Sequence, residues 1–120
     1  MKCALKILLI ALLPLLLSVW AVPAHAAPSE QEKIGYLLDA IASSDLIFIR
    51  EGREYSGKDA RDHLQEKLYF TGRRIKTAQQ FIDHIATGSS ITGEPYYVKM
   101  PDGTKMESKD WLEKKLAEMK

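Results

Sequence analysis

Residues 46–68 read LIFIREGREYSGKDARDHLQEKL, and the change of period along this stretch decides the fold. Leu46 to Arg50 is β-branched and aromatic, with no polar alternation until its end, which predicts a strand covered on both faces. Gly52 supplies a turn, and Glu54-Tyr55 returns as a short partner strand. Ser56, ahead of Gly57 and Asp59, marks a helix start, because its hydroxyl can accept from an amide three residues on. The apolar period then lengthens to a helical stripe of Ala60, His63, Leu64, Lys67 and Leu68, and Gly72 is expected to end it in a left-handed cap.

Working outward, Ser29 to Glu32 reads S-E-Q-E, a capping box that opens a helix with Ile34, Leu37, Leu38 and Ile41 on its inner face. Thr77 begins T-A-Q-Q, another capping box, and Ala78, Phe81, Ile82 and Ile85 form a stripe that closes at Gly88. Tyr96 to Met100 alternates like a half-buried strand. Pro101-Asp102-Gly103 hands over to a second strand near Thr104 to Met106. Ser108 is expected to cap the last helix, with Trp111, Leu112, Leu116 and Met119 inward. The fold class is therefore α+β: about four helices packed on a small antiparallel sheet of three to four short strands, without regular strand-helix-strand alternation. Phe48 and Phe81 are expected in the core, and Gly88 and Gly93 at positive φ.

Ahead of this domain, residues 1–26 read MKCALKILLIALLPLLLSVWAVPAHA. Lys2 and Lys6, an apolar run from Ile7 to Val19 and the triplet Ala24-His25-Ala26 are the parts of a secretory signal peptide, with cleavage expected after Ala26. The apolar run contains Pro14 and is short of the roughly 20 residues of a spanning helix, so no stable membrane insertion is expected after cleavage. The single cysteine, Cys3, precedes the apolar run, so residues 27–120 form one small domain without a disulfide. Removing Lys2 and Lys6 from 17 basic residues leaves 15 against 16 acidic ones, a formal charge of −1. These charges are interspersed and give no footprint for nucleic acid.

Two places carry candidate binding residues. One is the loop SSITGEPYY, residues 89–97, where Ser89, Ser90, Thr92, Gly93 and Tyr96 would meet a partner protein or a glycan. Its hydroxyls equally suit a helix-to-strand connection, where they satisfy backbone groups left over after Gly88. A hydrolase reading needs Ser90 with His63 as its base, and no G-x-S-x-G or S-x-x-K signature supports it. The other place is Arg50, His63 and Lys67. Histidine and lysine one helical turn apart share a face, Arg50 ends a nearby strand, and a carboxylate such as Glu54 would complete a polar cluster. The bland reading is a structural network in which Lys67 snorkels to solvent. Neither His63 nor His84 has a second ligand at metal spacing, so no metal and no cofactor is expected.

The segments FIREGREYSGKDARDHLQEKL, Phe48 to Leu68, and RIKTAQQFIDHIATGSSITGEPYYVKMPDG, Arg74 to Gly103, resemble the small YfeK-like exported proteins of Gram-negative bacteria, classed as a domain of unknown function. The resemblance covers nearly all of residues 27–120. It implies an exported, periplasmic-type location and brings no catalytic residue, cofactor or substrate with it. The expectation is a non-enzymatic periplasmic protein that binds a protein or envelope component. An inhibitor of a cell-wall hydrolase or of a toxin is the alternative, and a serine-dependent hydrolase stands behind both.

Overall fold

A computed structural model describes residues 26–119. The signal-peptide reading of residues 1–26 falls, apart from Ala26, outside the described residues. Helix α1 spans Glu30–Ser43, followed by strands β1 (Ile47–Arg50) and β2 (Arg53–Tyr55), then helix α2 (Gly57–Thr71). A short helical segment, α3 (Ala78–Gln80), continues as a π-helical turn over Phe81–Ile85, and the chain ends in β3 (Tyr97–Lys99), β4 (Lys105–Glu107) and α4 (Ser108–Glu118). The four strands form one antiparallel sheet in the order β2-β1-β3-β4. The α+β class, the helix number and the hairpin therefore stand as the sequence predicts.

The helix starts follow from local chemistry. Ser29 Oγ accepts from the Glu32 amide at 3.1 Å, and Ser56 Oγ accepts from the Asp59 amide at 3.2 Å. Thr77 and Gln80 complete a reciprocal capping box. Four other details depart from expectation. Glu107 precedes α4 without a side-chain cap, while buried Ser108 is its first residue and donates its amide to the Tyr96 carbonyl at 2.8 Å. The stripe after Thr77 is mostly π-helical: the Ala86 amide reaches the Phe81 carbonyl, five residues back, and both residues lie in the core. Gly72 does end α2 at positive φ, but its φ of 64° and ψ of −131° lie outside the left-handed helical region. Gly88 is absent from the positive-φ positions, whereas Gly93 has φ 76°.

Gly88 is required for a different reason. A Cβ there would lie 2.7 Å from the Glu94 carbonyl oxygen, because Gly88 and Pro95 pair as an isolated β-bridge that closes the loop between them. Gly57 plays a similar part where α2 begins, since a side chain would run into the Ile41 carbonyl at the end of α1.

Register sets the two faces of the sheet. Phe48 stands opposite Tyr55 and Val98, and Val98 opposite Met106, so these residues share the helix-covered face. Phe48 meets Trp111 edge-on at 5.7 Å within a cluster that includes Leu37, Ile41, Leu64, Phe81, Ile82 and Leu112. Ile49 points to the other face, yet only 8% of it is exposed. Its cross-strand neighbours are Glu54 and Tyr97, so the strand is buried on both sides although Ile49 lies outside the core cluster.

Candidate functional site

Arg50 lies two residues beyond Phe48 on the same strand, and the pleat turns it toward the helices with Phe48. His63 and Lys67 project from α2 one turn apart. Tyr96, two residues before Val98, also points inward, with its ring buried and its hydroxyl at the edge of the core. Strand β1, helix α2 and the segment just before β3 thus deliver four polar or cationic side chains to one corner.

The contacts run in a chain. Arg50 Nη2 donates to the Tyr55 hydroxyl at 3.2 Å, and Nη1 lies 2.9 Å and 2.8 Å from the two ring nitrogens of His63. A guanidinium can only donate, so this ring is a neutral acceptor. His63 Nε2 is 3.3 Å from the Tyr96 hydroxyl, to which Lys67 Nζ donates at 3.2 Å. Lys67 also donates to the Gly88 carbonyl at 3.0 Å. Each cation stands over a ring, Arg50 over Tyr55 and Lys67 over Tyr96, both at 5.1 Å. Lys67 therefore does more than snorkel: it fastens α2 to Gly88, at the base of the loop that follows the π-helical segment.

Electrostatics reinforce the arrangement. Burial lowers the pKa of His63, and the charges of Arg50 and Lys67 lower it further against weaker opposition from Glu66 and Glu51. Burial, then Arg50, lowers Lys67, while burial raises Tyr96. Arg50 is held above its ordinary value chiefly by its hydrogen bond to Tyr55. Among the described residues neither Arg50 nor Lys67 has a carboxylate within ion-pair distance. The expected completion by Glu54 does not occur, because Glu54 shares the outer face with Ile49 and pairs with Lys99 at 3.3 Å.

Behind this corner is a small cavity of about 40 Å³, walled mainly by apolar residues such as Phe48, Ala60, Leu64 and Leu112, with Arg50, Tyr55, His63 and Tyr96 supplying its polar groups. His63 also borders an open groove with Glu66, Lys67, Phe70, Thr71 and Ser90. Phe70 and Ile91 are 76% and 92% exposed near this face, and Tyr69 packs edge-on against Phe70 at 5.5 Å.

The loop residues divide. Ser89 Oγ donates to Glu51 Oε1 at 2.6 Å and accepts from the Ile91 and Thr92 amides, while Thr92 Oγ1 accepts from the Glu94 amide at 3.2 Å. The Gly93 amide returns to the Ser89 carbonyl at 2.9 Å. These hydroxyls hold the loop in shape, and only Ser90 and Tyr96 reach the walls of the groove or the cavity. Sequence reasoning missed Glu51, Tyr55 and Phe70. Glu51 and Gly52 both have positive φ, the demand of a two-residue hairpin, so the E-G pair was the signal for the first. Phe70 falls off the Leu64 and Leu68 stripe by helical spacing, which is the signal for its exposure.

Among the described residues no group of three or more histidine, cysteine, aspartate or glutamate side chains could hold a metal ion, and no helix is long and apolar enough to cross a membrane. No solved structure matches the chain. An uncharacterised protein, YfeK, of Salmonella typhimurium strain LT2 is 46% identical over 84 residues, covering 68% of this chain and 67% of the relative. A family model described as a family of unknown function, DUF5329, matches residues 28–120, and the chain belongs to that family.

Proposed function

We propose that the protein is an exported, periplasmic binding protein of the cell envelope, with no catalytic activity of its own, which docks a partner on the face formed by His63, Lys67, Phe70, Ser90 and Ile91. The observation that carries this reading is Lys67, which among the described residues has no carboxylate within ion-pair distance, on the wall of the same open groove as exposed Phe70. A lysine without an ion-pair partner on the groove wall favours an anionic group on the partner, and exposed Phe70 on that wall and Ile91, next to Ser90 in the chain, offer apolar contact. The reading of export rests on the charged start, the apolar run and the small-residue triplet of residues 1–26.

The functional loop chemistry speaks for binding over hydrolysis. Ser89 is engaged by a carboxylate and two amides, and no described histidine lies within hydrogen-bond reach of Ser89, Ser90 or Thr92. The test is affinity capture from a periplasmic extract with the wild type and with a Lys67→Met, Phe70→Ser, Ile91→Ser variant. Loss of a specific partner in the variant, with its thermal transition kept, is the expected result. Equal recovery from both would end the assignment of this face, and recovery of the protein from the cytosolic fraction alone would end the assignment of the compartment.

A further inference from the structure

The cavity and the cationic corner adjoin, and their chemistry together defines a ligand. The cavity wall is aliphatic and aromatic, from Phe48, Ala60, Leu64 and Leu112, and its volume of about 40 Å³ exceeds the roughly 10–15 Å³ that one water-sized probe needs. It therefore has room for a short alkyl group. At its edge stand Arg50, His63 and Tyr96. Lys67 reaches the same Tyr96 hydroxyl, and its contacts with Gly88 and Tyr96 use two of its three ammonium protons. His63 opposes neither cation, since it is held neutral between them.

The acidic groups nearby limit the charge of the ligand. Glu51 is exposed and bound to Ser89 and Thr92, Glu66 borders the outer groove, and Asp59 lines the cavity wall without pairing with Arg50. A dianion such as phosphate would face these carboxylates with both of its charges. A single negative charge meets half of that repulsion and still pairs with the cations.

We propose that this corner is a carboxylate site: it takes a singly charged carboxylate carrying a short aliphatic group, with the carboxylate against Arg50 and Lys67 and the aliphatic group in the cavity. The inference rests on the reading of this face as a binding surface and names the chemistry it recognises. A free short-chain acid and the carboxyl terminus of a peptide ending in a small residue share that chemistry.

The experiment is an amide-resolved NMR titration of the purified protein at constant ionic strength. The probes are butyrate, N-acetylalanine, N-acetylalanine amide and inorganic phosphate. Saturable shifts in the millimolar range, the affinity open to so small a ligand, are expected at Arg50, His63 and Tyr96 for the acids. The amide and phosphate should bind at least about tenfold more weakly, a difference of about 1.4 kcal/mol. Preference for N-acetylalanine over butyrate identifies the peptide terminus as the source, and the reverse preference the free acid. Lys67→Met should lose about tenfold in affinity while keeping a folded spectrum, and Arg50→Gln is the second variant should the first unfold. Absence of saturable shifts, equal binding of acid and amide, equal binding of phosphate, or an unchanged affinity in a folded variant would each overturn the proposal. If no acid binds while the Lys67, Phe70 and Ile91 variant still loses its partner, the ligand class fails and the docking face stands. If acids bind and capture is unchanged, the carboxylate site stands without the docking face.

Discussion

Two regions on the same side of the sheet are built on opposite terms. The segment Ala78 to Ala86 places Phe81, Ile82, Ile85 and Ala86 in the core with essentially no exposure, and its side chains there need no polar partner. The corner formed by Arg50, His63, Lys67 and Tyr96 is only half closed and is held by hydrogen bonds among groups that water would also serve. The first region gains from burial of apolar area, a term that is large and indifferent to direction. The second contributes little net stability, because each internal hydrogen bond replaces one to water. A small domain without a disulfide in residues 27–120 depends on the first, and the proposed binding face draws on the second.

The sharpest way to break this contrast is Phe81→Ala, which should cost about 3–5 kcal/mol, most of the stability of a domain of this size. A denaturant melt with an unshifted midpoint would show that the closed region does not carry the fold. Next in size is Gly88→Ala, at the seam between the regions. The new methyl would press on the Glu94 carbonyl, with an expected cost of about 1–3 kcal/mol in the same melt. Because Lys67 also bonds to the Gly88 carbonyl, this variant should loosen the corner as well, visible as faster amide exchange at Tyr96, whose amide bonds to the Thr87 carbonyl.

Tyr96→Phe keeps the buried ring and deletes only the hydroxyl between His63 and Lys67. It should cost about 0.5–1.5 kcal/mol, well below the effect of Phe81→Ala. A loss as large as that of Phe81→Ala would mean that the corner is itself core. The smallest expected effect is on the acid side of the stability curve. His63 has its pKa lowered from 6.5 in the folded protein, so the unfolded chain takes up the proton first as pH falls. Its contribution to stability is complete above that value and declines as pH drops below it toward the folded pKa. His63→Gln should flatten this part of a pH series of melts, and an unchanged slope would show that the ring is not held neutral by its surroundings.

Much of the fold was legible because the signals are local. Ser29, Ser56 and Thr77 cap helices through bonds to amides three residues ahead, and a hairpin announced by Gly52 needs only its own turn. The errors fall where a distant segment decides. Ser108 looked like a cap, but its amide goes to Tyr96, twelve residues back, as the sheet brings them together. Gly88 looked like a left-handed residue, but it is small because Glu94 and Pro95 return against it. The candidate site was half visible: His63 and Lys67 stood out as polar residues on an apolar stripe with Arg50 at a nearby strand end, and Glu54 was expected to complete the cluster because the register that turns it to the outer face was unknown.

The sequence by itself determined the class of the domain, its helix starts, its hairpin and the apolar stripes, since these depend on residue type and spacing within one or two turns of chain. Only the tertiary structure decided that Arg50, Tyr55, His63, Lys67 and Tyr96 meet, and that Ser89 serves Glu51. These contacts join elements up to 38 residues apart, and which side chains meet across such a distance is set by strand register and helix packing, which no local pattern records.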